Sequence, residues 1–192
     1  SLALGFTQIA ISVAVNALVT TNTAAATAGL VWMALSWRDN KPSILGIVTG
    51  AVVGLVAITP GAGFVTPLAA IVIGGLASVF SYYGIKLVKS KLGLDESLDV
   101  FACHGLGGLW GALATGLFAT KSVNAAGADG LFYGNPAQFG IQAVAALIAV
   151  VFAFAGTWIL VKLLNKAMGL RVSSNEEEVG LDISEHGERV FA

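Results

Sequence analysis

Residues 13–37 read VAVNALVTTNTAAATAGLVWMALSW, twenty-five positions without a charged side chain. A helix needs about 20 apolar residues, rising 1.5 Å each, to cross roughly 30 Å of hydrocarbon. This stretch meets that requirement and predicts a transmembrane helix. The uncharged run reaches back to Ser1, too far for one crossing. Residues 1–11 therefore read as an entry segment or the tail of an earlier element. A start at Ser1, with no Met and no signal-peptide pattern, is expected of a fragment or a processed chain.

Working outward, Arg38, Asp39, Asn40, Lys41 and Pro42 form a polar turn. Further spans are predicted at 43–59, 65–88, 98–120 and 141–164. Pro60, Gly61 and Gly63 close the second, and Pro67 falls in the first turn of the third, where a missing N–H costs little. Residues 1–170 are thus read as about five transmembrane helices and 171–192 as a polar tail. Composition agrees: 56% of the chain is hydrophobic and 11% charged, with mean hydropathy +0.84. A soluble domain carries roughly 25% charged residues to face water. The expected fold class is all-α, a polytopic helical bundle with lipid as its solvent.

The basic residues set the orientation. Nine of the ten Lys and Arg fall on one side of a five-span arrangement, with Lys121 alone opposite. That places the tail in the cytoplasm. Net charge is −1, with no basic excess to suggest nucleic acid. One cysteine and two histidines make neither a disulfide framework nor a metal set, and no cofactor is expected.

Lipid offers no hydrophobic drive between helices, which associate through small residues that let backbones approach. Gly46, Gly50 and Gly54 form such a stripe on the second span. Gly108, Ala112 and Gly116 form one on the fourth, with Gly107 and Gly111 beside them, and Gly74 and Gly75 serve the third. Asn16, Thr20, Thr21, Asn22 and Thr23 are expected to hydrogen-bond between helices. Trp37, Tyr82, Tyr83, Phe132 and Tyr133 suit interfacial belts.

His104 lies within the fourth span, roughly 7–8 Å from its middle by helical rise. Ionisable groups at that depth mark cavities, ion paths or proton relays. The competing reading is a structural hydrogen bond between helices. His104 shares a face with Gly108, Ala112 and Gly116, small enough to leave a narrow lumen. Asp99, about 140° around the helix, reads as an interfacial carboxylate at the helix start. Cys103 is adjacent to His104 but poorly placed as a nucleophile–base partner.

Four segments carry a resemblance. They are Thr21-Asn22-Thr23-Ala24-Ala25-Ala26, Gly54-Leu55-Val56-Ala57-Ile58-Thr59-Pro60, Asp99-Val100-Phe101-Ala102-Cys103-His104-Gly105, and a tail with Gly169-Leu170-Arg171-Val172, Glu176-Glu177, Gly180-Leu181-Asp182 and His186-Gly187-Glu188. In order and spacing the chain resembles the Amt/Mep/Rh ammonium transporters, in their bacterial and archaeal Amt branch. The resemblance implies the last five of eleven helices in a homotrimeric plasma-membrane transporter, one pore to each protomer. His104 is then the second of two pore histidines, with Val100 and Phe101 near the hydrophobic channel. Ammonium sheds a proton, and ammonia crosses beside the histidines. The first pore histidine, a phenylalanine gate and an aromatic cation site would lie upstream of Ser1. Gly180, Asp182 and His186 belong to a regulatory arm near the docking place of a PII-type signalling protein, with Phe191 where relatives often have Tyr.

The physics fits: carrying a charge through hydrocarbon is costly, whereas a small neutral molecule needs only a narrow dry tube with a proton acceptor. Three rival readings are a non-transporting ammonium sensor, a membrane enzyme using His104 as base, and a plain packing subunit. The enzyme lacks a partner nucleophile, a metal set and a second buried carboxylate.

Overall fold

The computed structural model describes residues 2–39, 41–93 and 96–189. Ser1, Asn40 and Phe191, which figure in the sequence reading, lie outside the described residues. The chain is all-α. In order come α1 (Leu2–Asp39), α2 (Ile44–Ile58), α3 (Pro67–Lys86), π-helical turns at Leu87–Lys91 and Phe101–Leu106, α4 (Gly107–Phe118), a short 3₁₀ turn at Leu131–Tyr133, α5 (Pro136–Met168), α6 (Ser174–Val179) and α7 (Leu181–Ser184). Two compact units are present, Ser1–Ala146 and Leu147–Ala192.

Four helical stretches are long and apolar enough to cross a membrane: Ala10–Asp39, Pro67–Lys91, Phe101–Phe118 and Pro136–Met168. The remaining expected span, Ile44–Ile58, is apolar but has 15 residues, about 22 Å of rise. Helix limits also differ from expectation. The entry segment read at 1–11 is instead helical from Leu2, continuous with α1. No proline and no charge interrupts it, so nothing stops the hydrogen-bond ladder. The last span starts at Pro136 rather than at 141, because proline is accepted in a first helical turn.

In the first unit, α1, α2 and α3 meet at the carbonyl of Ala24. A Cβ on Gly54 would lie 2.4 Å from that oxygen, and one on Gly74 2.3 Å. Only glycine permits both approaches. Gly50 continues the contact against Trp32, so the 46/50/54 stripe packs on α1 as expected. Around the crossing lie Val53, Ala57, Ile58, Ala70, Ile73 and Ala77, all buried.

The bend between α2 and α3 is held from α1. Asn16 Nδ2 donates to the carbonyls of Ala62 and Val65, each at 3.0 Å, and the Thr20 hydroxyl donates to Ala62 at 2.8 Å. These are the long-range hydrogen bonds expected of the polar groups in the first span. Asn22 is different: it is exposed and bonds back to Leu18 within its own helix. Thr66 caps α3 through the Ala69 N–H, ahead of Pro67.

Between α4 and α5 a loop is pinned by Asp129, which accepts the Lys121 N–H at 2.8 Å. That bond, aided by the Thr120 hydroxyl, holds the Asp129 carboxyl below its ordinary 3.8. A value lowered by folding means the contribution is present above about pH 3.8 and is lost as pH falls through the lowered value. Hydrogen exchange should show protection of the Lys121 amide at pH 5 that disappears in stronger acid. Asp129→Asn should remove this pH step.

The second unit comprises the later part of α5 and the tail. Residues 147–161 carry no charged side chain on any side, with Phe152 and Phe154 more than three-quarters exposed. Lys162 stacks its ammonium 5.9 Å from the Trp158 ring centre. Gly169, at φ +67, ends α5. The tail is ordered into two short helices. Ser173 and Glu176 form a capping box at α6.

Candidate functional site

The site is built where α3 passes control to α4. The backbone leaves the π-helical turn at Leu87–Lys91 and re-enters helix at Phe101. Asp99 stands at this re-entry with φ +54, the one non-glycine among the described residues in the left-handed region. That conformation costs an L-residue about 1–2 kcal/mol. Its carboxylate pairs with Lys89 Nζ at 2.8 Å. A half-exposed pair of this kind contributes roughly 0.2–1 kcal/mol, the same order as the backbone cost. Glu96 adds a second clamp, its carboxylate accepting the Phe101 N–H. The Asp99 carbonyl accepts the Cys103 N–H at 2.9 Å. Asp99 is thus the helix-start carboxylate the sequence suggested.

Phe101–Leu106 then forms a wide π turn, and Gly107–Phe118 continues as α-helix. One side of this element is locked. The Ser81 hydroxyl donates to the Ala102 carbonyl at 2.8 Å, and Trp110 Nε1 donates to Ile73 at 2.9 Å. Gly84 packs against Ala102 and Leu106. Gly111 sits so close to α2 that a Cβ would fall 2.2 Å from the Ala57 oxygen. Cys103 is buried on this side.

The opposite side is open. Val100 and Phe101 are 50% and 55% exposed, and His104 and Gly105 are exposed beside them. The three residues expected at a pore are therefore brought together on one face. The His104 imidazole makes no hydrogen bond among the described residues, so the structural hydrogen-bond reading finds no support in this chain. The small face expected at His104, Gly108, Ala112 and Gly116 is only partly realised. Gly108 and Ala112 are half-buried, while Gly116 is covered by Phe139 and Gln142 of α5. The close-packing glycines of this helix are Gly111, against Ala57, and Gly116, against Phe139, while Gly107 keeps ordinary contact distances.

In the tail, Gly180 separates α6 from α7 at φ +104. Its N–H reaches Glu176 at 3.0 Å, and the Asp182 carbonyl accepts the Glu188 N–H at 2.9 Å. His186 lies exposed in the turn that follows α7. The two tail residues Gly180 and Asp182 thus shape one compact turn, which His186 borders.

Two features were not legible in the sequence. One is the π turn with its Lys89 and Glu96 clamps. The other is a polar cluster at the ends of α1 and α3. There Asp39 accepts from the Tyr82 hydroxyl at 3.0 Å and pairs with Lys86, while Arg38 donates to the Tyr83 hydroxyl at 2.7 Å. The Lys86 ammonium also lies 4.6 Å from the centre of the Tyr82 ring. Tyr82 and Tyr83, read as belt residues, therefore also tie α3 to α1.

Apolar helices long enough to cross a membrane, joined by close glycine crossings, define a polytopic helical membrane protein. The chain belongs to the Ammonium Transporter Family, whose model matches residues 2–191. It is 48% identical over 180 residues to the ammonium transporter of Bacillus subtilis, covering 93% of this chain and 45% of that one. Its fold is similar to the crystal structure of Saccharomyces cerevisiae Mep2, with TM-score 0.80 and 33% identity over 85% of this chain and 38% of the other. It is also similar to a solved Sensor Amt Protein, with TM-score 0.78 and 29% identity, covering 88% and 41%. The chain spans less than half the length of these proteins, and matches the C-terminal half of the family.

Proposed function

We propose that this chain contributes part of a pathway that moves ammonium, as ammonia, across the plasma membrane. The observation that carries the reading is the exposed His104 between Val100 and Phe101, on the open side of a membrane-length helix. His104 accepts a proton and hands it on through its two ring nitrogens, while Val100 and Phe101 keep the path dry. A neutral molecule then crosses where an ion would pay a solvation penalty. Potassium, which has no proton to shed, is refused.

The working protein is a homotrimer with the C-terminus cytoplasmic. Residues 1–170 form its membrane part, and 171–192 a cytoplasmic tail. In that tail Gly180, Asp182 and His186 shape a regulatory arm for a PII-type protein. Likeness to the Sensor Amt Protein supports a second reading, ammonium detection without flux.

The test is the complete protein in liposomes under an ammonium gradient, with potassium as the competing cation. Saturable ammonium movement with potassium excluded supports transport. Ammonium binding by calorimetry with no movement above empty liposomes would establish the sensor reading in its place.

A further inference from the structure

The His104 turn owes its shape to groups outside the helix. A π turn carries one residue more than an α turn and is rare, persisting where surroundings hold it. Downstream, Gly111 against Ala57 and Trp110 on Ile73 fix the rotation of α4. Upstream, the segment is held by Asp99 on Lys89 and by Glu96 on the Phe101 N–H. If that upstream hold is released, the turn relaxes to α geometry. The start of the segment then rotates by about one residue step, roughly 100°. His104, midway, turns by about half as much, toward the packed side that now holds Cys103.

We propose that Asp99, clamped by Lys89, is a positioning residue for His104: it fixes the entry to the Phe101–Leu106 turn and thereby the direction in which the imidazole faces. The inference deepens the transport reading and rests on it for its meaning, although the orientation of residue 104 is measurable without transport. The left-handed backbone at Asp99 gives a signature that a simple charge role lacks. If the pair serves to hold that backbone, glycine at 99 dispenses with it, because glycine adopts positive φ at no steric cost. Asparagine, which tolerates the conformation, is intermediate, and alanine is worst.

The complete protein is prepared with His104→Cys and exposed to a water-soluble thiol reagent. Cys103, 4% exposed, gives a low background in the folded protein. Lys89→Ala should slow labelling at 104 by about two- to fivefold, the order of a lost pair, and Asp99→Ala by about tenfold or more, the order of a lost pair together with a strained backbone. Asp99→Gly and Lys89→Arg should label near the parent rate. With His104 restored, the ammonium-to-potassium flux ratio should follow the same order, which a plain loss of folded protein would not produce. If Lys89→Ala exposes Cys103 through misfolding, Lys89→Met retains the stem and decides by the same labelling. Equal labelling across Lys89→Met, Asp99→Ala and Asp99→Gly overturns the proposal. Parallel labelling changes in a protein that conducts nothing would uphold the positioning role and remove the transport reading alone.

Discussion

Replacing His104 by alanine in the complete protein should lower the ratio of ammonium to potassium flux on the order of a hundredfold, the lower range for a positioned proton-transfer group. The substitution exchanges an imidazole for a methyl group on an exposed face. Stability should therefore change little, and the effect should be read in conduction alone. A ring that takes up the proton shed by ammonium allows the neutral molecule to proceed. Without it, ammonium is left with the same desolvation problem as potassium. The measurement is paired fluxes in liposomes at matched protein content, with thermal unfolding in detergent as the control. An unchanged flux ratio would remove His104 from the pathway, while a large loss of thermal stability would make it structural instead.

The second large effect concerns packing. Gly111→Val should leave little folded protein, because even its Cβ meets the Ala57 carbonyl oxygen at 2.2 Å, with the Ala57 carbonyl carbon and Cα at 2.8 and 2.9 Å. These are backbone atoms and cannot swing aside. α2 and α4 must separate, and any shift of α4 away from α3 also strains the Trp110 bond to Ile73. Overpacking of this kind costs about 1–3 kcal/mol or more, and a lost hydrogen bond about another 1. In lipid, no escape from water pushes the helices back together. Gly140→Ala is the matching control, since a Cβ there meets nothing within 4 Å. The yield of monodisperse protein in detergent, compared between the two variants, checks the claim. Equal yields would show that α2 and α4 are not in close contact in the membrane.

The same two sites show how far the sequence could be read. The apolar runs and the 46/50/54 glycine stripe were sufficient for a close-packed membrane bundle, because period and residue size are local properties. Residues 107–111 read Gly-Gly-Leu-Trp-Gly, and nothing local says which glycine is pressed against a neighbour. That depends on where Ala57 lies, some fifty positions earlier. His104 was noticeable by its depth, but its openness is set by the opposite side of the helix, which Ser81, Gly84 and Ile73 lock down. The π turn was invisible for a different reason: its clamps, Lys89 and Glu96, lie only ten and five residues from Asp99 and Phe101, but their pairing depends on a path of the connecting chain that no local pattern specifies. The assignment to ammonium chemistry drew on family motifs, since a lone intramembrane histidine identifies no substrate.

The grip of Asn16 on the bend between α2 and α3 also bears on how the chain is made. The side-chain amide in α1 finds its acceptors 46 and 49 residues later, at Ala62 and Val65. At ordinary ribosomal speeds of 5–20 residues per second, that interval is about 2–10 s. Within this chain, the amide has no acceptor beyond its own helix until then. Release of α1 into lipid alone is therefore disfavoured, and its retention beside the translocon until residue 65 has emerged is favoured. Within this chain, α1, α2 and α3 then leave together as one inserted unit.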